Sequence, residues 1–279
     1  MAMLILFDTR LGNLKPEFTM LEPKSPSLIS KCGNIANMKI MRRLTAVNKM
    51  NYSTLLVVLF STVVFQSCNN IPYFGHQEGK IVYDVTFPYE PIDIKLALFP
   101  SEMTCIFDGE HQHTRIESAY GIVKSEFIID HKKKEFNHLV ACFGSDYVMH
   151  LNEGEFNEWI KQFPTVRLQP TEETLIIAGY ECQKTIAYFQ SDSLPSVELY
   201  STTKLDLDGN NWWNTYAGVE GTLLGYDIEQ YGRRMQVRAR EVIFQKTTPE
   251  DFQVPSSYTP ISAGEMKAKL DEIVKDYLD

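Results

Sequence analysis

The chain has 279 residues, of which 44% are hydrophobic and 23% charged, and its formal net charge is −9. This length corresponds to one or two domains. With 15 Gly and 13 Pro residues the chain is not collagen-like or of low complexity, and 12% aromatic residues argue against wholesale disorder. The acidic balance excludes a typical nucleic-acid-binding protein, because such a protein needs a basic face to displace counterions.

The N-terminal part of the chain predicts export. Residues 55–65 form an uncharged apolar run that follows four basic residues between positions 39 and 49. A membrane-spanning helix needs about 20 apolar residues, whereas the apolar core of a signal peptide needs roughly 7–15. We therefore predict a signal peptide over residues 38–68. Residues 1–37 show no sustained periodicity, and we interpret them as an upstream extension that is not part of the native protein.

The apolar run ends at Ser67-Cys68, and a small residue before cysteine is typical of lipoprotein processing. The pattern resembles a lipobox, with Phe65 and Gln66 where Leu and a small residue are usual. We predict that the Cys68 thiol is acylated and anchors the chain in a membrane. Cleavage nearby, an uncleaved anchor and an ordinary cysteine are the alternatives. The lipid would place the protein on the periplasmic side of the cell envelope, anchored in the outer membrane, with residues 69–78 as a tether.

The part of the chain that follows Cys68 is strongly acidic. Residues 1–68 hold eight of the 27 basic and three of the 36 acidic residues, which leaves 19 basic and 33 acidic residues and a net charge of −14. Three cysteines remain in this part, Cys105, Cys142 and Cys182. Export permits disulfides, but the odd number and the sequence alone do not identify a pair.

Residues 79–279 predict a single β-rich domain. Ile81, Tyr83, Val85 and Phe87 share one face by the two-residue period of a strand. Similar patterns predict eleven strands, over residues 79–87, 103–107, 113–118, 126–130, 135–142, 146–151, 174–177, 181–190, 196–201, 222–231 and 234–244. The last strand changes the parity of its apolar residues, which predicts a bulge.

Two helices are predicted, a short one over residues 154–162 and a clearer one at the C-terminus. Ser262 and Glu265 form a capping box, and an apolar stripe from Met266 to Leu278 follows. About ten or eleven short strands without βαβ alternation indicate a mainly β fold, one antiparallel sheet that is strongly curved or closed. The concave face of such a sheet is a ligand cavity unless helices fill it.

Four segments carry candidate chemistry. The turn His131-Lys132-Lys133-Lys134 is interpreted as a solvated hairpin tip, with a phosphate or lipid-headgroup role as the alternative. His111-Gln112-His113 has a usable metal spacing, but without a third ligand nearby we interpret it as a solvated loop. The acidic run from Asp206 to Asn210 resembles the start of a calcium loop, but its twelfth position is Ala217, which excludes an EF-hand.

The fourth segment is Trp212-Trp213, which lies among asparagines between two predicted strands. These rings could line a cavity mouth or touch a membrane interface. The alternative is that one tryptophan packs in the core and the other covers it, as expected for a residue that is usually largely buried.

The segment from Ile177 to Lys184, I-A-G-Y-E-C-Q-K, resembles a motif of a family of bacterial envelope proteins of unknown function. Six further segments of the chain resemble segments of the same family, in the same order along the sequence: residues 79–83, 100–104, 197–202, 221–226, 239–242 and 252–258. The family is similar to the GLPGLI group and to the LolA/LolB-like lipoprotein carriers. The resemblance implies a LolA-like curved antiparallel half-barrel whose concave face, covered by helices, can hold an acyl chain. None of its motifs is catalytic.

Two function hypotheses follow. In the first, the chain is a non-catalytic envelope lipoprotein that binds a hydrophobic or lipid ligand in the half-barrel, without cofactor or metal. In the second, the half-barrel is filled by side chains, and the acidic surface docks an envelope protein partner or a cationic ligand. An enzyme is not expected, because no nucleophile motif, phosphate loop or paired carboxylates converge in the sequence.

Overall fold

The computed structural model describes residues 77–89, 99–190, 194–205, 207, 211–230 and 233–278. The predicted extension, the signal peptide with Cys68 and most of the tether lie outside these residues. The described strands are β1 (Gly79–Thr86), β2 (Glu102–Phe107), β3 (His111–Glu117), β4 (Val123–Asp130), β5 (Glu135–Cys142), β6 (Ser145–Leu151), β7 (Val166–Ile177), β8 (Tyr180–Phe189), β9 (Val197–Thr202), β10 (Thr222–Gln230), β11 (Arg233–Phe244) and β12 (Thr259–Pro260). The described helices are α1 (Glu153–Ile160) and α2 (Ala263–Leu278), with 3-10 turns at Ala119–Gly121 and Pro249–Phe252.

All twelve described strands belong to one open sheet, in the order β12-β6-β5-β4-β3-β2-β1-β11-β10-β9-β8-β7. Neighbours pair antiparallel, except that the two-residue β12 runs parallel to β6. The sheet curls strongly, since β7 packs against β11 although three strands lie between them. The prediction of a curved antiparallel half-barrel with a C-terminal helix is therefore confirmed.

The largest difference from the predicted strands is β7. The sequence predicted a strand over residues 174–177 only, whereas β7 begins at Val166. Pro170 and the polar residues around it hide the earlier part of the strand, and the pairing with β8 shifts register between Pro170 and Thr174. Because β7 is the edge strand of the sheet, one of its sides has no partner strand. Pro170, which has no backbone N–H, is therefore tolerated there without loss of an interstrand hydrogen bond.

The predicted bulge in the last long strand is confirmed in β11. Val82 of β1 pairs with Glu241, but the next residue, Tyr83, pairs with Ala239, so Arg240 is the extra residue. Its guanidinium lies 2.8 Å from Asp84 and 2.9 Å from Glu102 on the neighbouring strands.

Helix α1 packs on the concave face of the sheet. Asn152 caps its N-terminus in a capping box with Glu155. The buried rings of Phe156 and Trp159 lie with their centroids 5.1 Å and 5.6 Å from that of Phe136 on β5. The helix predicted over residues 154–162 is thus confirmed, but it begins one residue earlier and ends two residues earlier than predicted.

Helix α2 begins with the predicted capping box. Ser262 Oγ accepts from the Glu265 amide at 3.3 Å, and the Glu265 carboxylate accepts from the Ser262 amide at 2.8 Å. Met266, Leu270 and Ile273 are buried in the main core and Val274 packs against it, which confirms the apolar stripe as far as Val274. The side chains of Tyr277 and Leu278, the end of the predicted stripe, lie outside the described part. No helix within the described ranges is long and apolar enough to cross a bilayer.

The convex face carries a second, smaller apolar cluster. Ile128, Leu139, Val148 and Tyr258 pack together there, next to Phe252. Residues 245–258, here called the crossover, leave β11 near the middle of the sheet and cross this face to reach β12 at the far edge. The crossover therefore covers the convex side of β3 to β6.

Candidate functional site

The concave face around Trp213 is packed with aromatic rings. Trp213 is 2% exposed, and its ring centroid lies 6.3 Å from that of Phe127 and 6.5 Å from that of Phe136. Trp212 is half-buried beside it, with its ring edge-on to Phe156 at 5.3 Å. The structure thus places Trp213 in the core and Trp212 over it.

Other large side chains also fill this face. The fully buried large residues include Tyr216, Tyr226, Phe107, Phe127, Phe136, Phe156, Met103 and Met149. The Tyr216 hydroxyl donates to the Asp227 carbonyl at 3.3 Å, and the Tyr83 hydroxyl donates to the Leu223 carbonyl at 3.0 Å. Burial raises the pKa of both tyrosines above the ordinary value, so both stay neutral hydrogen-bond donors.

A serine–histidine pair lies inside this packed region. Ser125 Oγ is 2.9 Å from His138 Nε2, a distance typical of a nucleophile and its base. Both residues are fully buried, and the His138 ring stacks on Phe127 at 4.4 Å. Burial lowers the pKa of His138 to about 3. A substrate does not reach this pair in the described fold, so its role is packing rather than catalysis.

Glu126 is the centre of a charged cluster on the convex face that the sequence analysis missed. Its carboxylate lies 2.9 Å from His113 Nε2, 2.8 Å from the Arg115 guanidinium and 2.8 Å from Lys124 Nζ. Burial alone would raise the pKa of Glu126, but hydrogen bonds from His113, Lys124 and Arg115 hold it well below its usual range.

His113 connects this cluster to the crossover. Its Nδ1 lies 2.7 Å from the carbonyl oxygen of Asp251, while its Nε2 faces Glu126. His113 therefore bridges the Glu126 carboxylate and the backbone of the crossover. Tyr258 of the crossover adds a 3.3 Å hydrogen bond to Glu126.

His111 lies at one end of the same strand. Its Nδ1 is 3.0 Å from the Asp108 carboxylate, and its ring stacks on Phe252 at 5.2 Å. The interpretation of residues 111–113 as a solvated loop is wrong, because these residues form the start of β3 and the crossover packs on them. A two-residue alternation that begins at His111 and continues through the rest of β3 could have predicted that residues 111–113 belong to the strand.

Two clefts open beside these elements. One, of about 570 Å³, is lined by Glu78, Asp108, His111, Asp130, Lys133 and Phe252, among others. The other, of about 610 Å³, lies at the opposite end of the strands and is lined by Val85, Phe87, Phe99, Glu102, Glu117 and Tyr120, among others. Both clefts lie away from the rings that surround Trp213.

Within the described residues, no group of three or more His, Cys, Asp or Glu side chains could hold a metal ion. Asp206, Asp208 and Asn210, the residues that resemble a calcium loop, lie outside the described part. Cys105 and Cys182 are free thiols, and all three cysteines of the domain are buried. Burial raises the pKa of the Cys105 and Cys182 thiols, which keeps them protonated and poorly reactive.

Residues 131–134, here called the lysine turn, join β4 to β5 as predicted. Lys132 and Lys133 are exposed, which confirms the hairpin tip. His131 is buried and its Nδ1 accepts from Trp212 Nε1 at 3.1 Å. Lys134 Nζ lies 5.0 Å from the centre of the Trp212 ring. Two segments that the sequence analysis treated separately are therefore in contact.

The opposite end of these strands presents apolar side chains. Tyr120 and Phe143 are strongly exposed at the tips of two turns, and Ile122 is partly exposed next to Phe143, whose amide donates to the Ile122 carbonyl at 3.4 Å. Both aromatic residues have a positive φ, 66° and 48°, which bulky residues rarely adopt. No local pattern predicts these two turn positions, because such positions are usually occupied by Gly or Asn.

No protein-family model matches the sequence, and no curated protein matches it. Among solved structures, the chain is similar to MucB in complex with MucA(peri), with 9% sequence identity and a TM-score of 0.28 over 66% of this chain and 56% of that one. A structure of MucB alone gives 9% identity and a TM-score of 0.27, with 66% and 58% covered. The match thus spans a little over half the length of the MucB chains.

Proposed function

We propose that the chain is exported to the bacterial cell envelope, held there by a lipid on Cys68, and that its domain acts by binding an envelope protein rather than by catalysis. The apolar run over residues 55–65 and the small residue before Cys68 support the export and the anchor. The outer membrane is the proposed location, with the domain on the periplasmic side.

The packing of the concave face carries the proposal for the domain. A lipid carrier needs an apolar space that accepts an acyl chain, and such cavities are typically about 300–1,000 Å³ in volume. The rings of Trp213, Phe127 and Phe136 instead occupy the middle of this face, and Phe156 of α1 packs against Phe136 and covers it. A half-barrel filled in this way is a scaffold that presents its outer surfaces to a partner.

The charge of the exported part indicates the kind of partner. With 33 acidic and 19 basic residues after Cys68, the domain attracts surfaces of positive charge and speeds their approach. The described residues do not favour catalysis, since the Glu126 carboxylate is bound by His113, Arg115 and Lys124 and the Ser125–His138 pair is buried. A partner with a basic surface is therefore the best fit.

A lipid or other hydrophobic ligand remains the second candidate, and one observation favours it. Asn214 Nδ2, Thr215 Oγ1 and His138 Nδ1 are buried in the described part of the chain without a hydrogen-bond partner. Buried polar atoms without partners are costly, and a ligand with a polar group or an ordered water would satisfy them. Asn214 and Thr215 lie directly after Trp213, so a ligand that displaced this segment would enter the concave face.

Native mass spectrometry of the processed chain, purified from a bacterial envelope, tests the two candidates. If the core is packed, the measured mass should equal that of the lipidated chain alone and should not increase when phospholipid is added. A second, non-covalent lipid at one per chain would overturn the filled half-barrel and establish the carrier. The anchor has a separate test, since a Cys68→Ser variant should lose fatty-acid labelling and remain unprocessed, and unchanged labelling would refute the anchor.

A further inference from the structure

Three features of the chain meet at one end of the sheet. The pairing of Gly79 with Phe107, of His111 with Asp130 and of Asp130 with Glu135 places the start of β1 and the lysine turn in the same row. The turn follows β4, about three and a half strand spacings from β1, or roughly 17 Å along the sheet. The point where the described domain begins and the three lysines therefore lie at the same end.

The lysines at this end are more exposed than the acids with which they pair. The side chains of Lys132 and Lys133 are 72% and 65% exposed. The carboxylate of Asp130, which holds Lys133 at 3.0 Å, is only 11% exposed. Lys246, which follows β11 at this end, is 92% exposed, whereas its partner Glu78 is 22% exposed. Lys132 pairs with Glu110 at 3.2 Å, and Glu110 is 42% exposed. In each of the three pairs the ammonium group is the more exposed partner, so the lysines are the more accessible charges to a surface that approaches this end.

Trp212 gives the lysine turn a fixed support. Its indole N–H donates to buried His131, and the Lys134 ammonium lies over its ring. The positive φ of Lys134, 57°, fixes the direction of the turn. A half-buried tryptophan beside lysines is the combination found where proteins touch the headgroup region of a bilayer.

The length of the chain outside the described domain indicates what this end faces. Ten residues, 69–78, separate Cys68 from Gly79, and a fully extended chain of that length reaches at most about 35 Å. A lipid on Cys68 therefore holds the start of β1 near the membrane. The end with the apolar residues Tyr120 and Phe143 lies one strand length farther from the start of β1.

We propose that the lysine turn, supported by Trp212, is the surface with which the domain rests on the anionic headgroups of the bilayer that anchors it. The proposal builds on the anchored state proposed above. Exposed lysines are attracted by anionic lipid phosphates over about a Debye length, so the contact is sensitive to salt. It would orient the domain with Tyr120 and Phe143 directed away from the membrane, where a protein partner is accessible.

The test uses the processed chain, purified in detergent and reconstituted into phosphatidylcholine vesicles, with or without roughly a third of phosphatidylglycerol. A membrane-impermeant amine reagent labels exposed lysines, and mass spectrometry of the digest measures each site. We expect labelling of Lys132 and Lys133 to fall about threefold in the anionic vesicles and to recover at about 1 M salt. Lys161 and Lys267, 65% and 54% exposed elsewhere on the domain, serve as internal controls.

A matched pair of variants sharpens the result. Lys132→Gln with Lys133→Gln should abolish the protection of Lys246 at the same end, whereas Lys161→Gln with Lys267→Gln should leave it intact. Equal labelling of the lysine turn in both kinds of vesicle would overturn the proposal, and so would protection in neutral vesicles. The same digest shows whether Cys68 carries an acyl group, so failure of the anchor is read separately from failure of the contact.

Discussion

His113 Nε2 lies 2.9 Å from Glu126 Oε2, and this contact ties the crossover to the middle of the sheet. The other ring nitrogen of His113 binds the crossover backbone at Asp251. Because the crossover leads to β12 and then to α2, one buried carboxylate supports both the convex cluster and the helix that closes the core. The carboxylate of Glu126 is therefore the first target for a stability measurement.

We expect Glu126→Gln to lower the free energy of unfolding by about 3 kcal/mol, because it leaves Arg115 and Lys124 without their counterion and weakens the contact with His113. Urea unfolding of the processed chain measures the change. Glu102→Gln is the matched control, since Glu102 also binds an arginine but is 47% exposed, and its loss should stay below about 1 kcal/mol. Equal losses in the two variants would contradict a central role for Glu126.

The same carboxylate predicts a dependence on pH. The pKa of Glu126 is lower in the folded than in the unfolded chain, so its contribution is present above the unfolded value of about 4.3. That contribution is lost as the pH falls below this value. The difference in unfolding free energy between wild type and Glu126→Gln should therefore be constant near neutral pH and shrink below about pH 4. A difference that grew in acid would refute the assignment.

The second prediction concerns His138. Its pKa of about 3 lies below the unfolded value of about 6.5, so the unfolded chain takes up a proton first as the pH falls. The contribution of neutral His138 to the free energy of unfolding is thus fully present above about pH 6.5 and is lost between about pH 6.5 and 3. About 2 kcal/mol of it is lost from pH 7 to 5. In His138→Gln, which keeps a partner for Ser125, this loss should disappear.

Exposed His150 provides the control for that measurement. His150 lies on β6 with its Nδ1 2.9 Å from Asn137 Oδ1, and its side chain does not enter the core. His150→Gln should keep the wild-type fall in stability between pH 7 and 5. A wild-type stability that is flat over this range would show that His138 reaches solvent or another proton donor.

The third prediction separates the two tryptophans. Trp213→Ala removes a ring that stacks on Phe127 and packs against Phe136, and we expect a loss of about 4 kcal/mol in unfolding free energy. Trp212→Ala removes a half-buried ring and its hydrogen bond to His131, so the loss should be about 1–2 kcal/mol. Thermal unfolding of both variants compares them directly. Similar small losses would indicate that Trp213 lines an open cavity.

Most strands and both helices were predictable because their signals are local. The two-residue period of Ile81, Tyr83 and Val85 and the capping box at Ser262 and Glu265 depend on neighbours within a few residues. The start of β7 was not predictable for the same reason. Its residues lie on an edge where one side faces solvent, so Pro170 and the polar residues carry no apolar alternation.

The candidate surfaces were less predictable, because they depend on pairs that are distant in the chain. Glu126 and His113 belong to neighbouring strands, but the partner that completes the contact, Asp251, is 138 residues from His113. Trp212 and His131 are 81 residues apart. The sequence marked Trp212 and the lysines as unusual, but only the curl of the sheet brings them together.

The last prediction concerns the turn with Phe143. Phe143 and Gly144 form the two-residue loop between β5 and β6, with φ values of 48° and 80°. Two positive values are typical of a type I′ turn, in which Asn is preferred at the first position. Because the Phe143 side chain is 70% exposed, Phe143→Asn should relieve backbone strain and raise the unfolding free energy by about 0.5–1 kcal/mol.

Gly144→Ala is the control for this backbone effect. An added Cβ at Gly144 meets no atom within 4 Å, so any loss of stability comes from its positive φ. We expect a loss of about 1 kcal/mol, opposite in sign to Phe143→Asn. If Phe143→Asn instead destabilises the chain, the aromatic ring contributes packing that outweighs the strain. If it stabilises the chain, the exposed ring is kept at a cost to stability, which fits a partner contact at the end opposite the lysine turn.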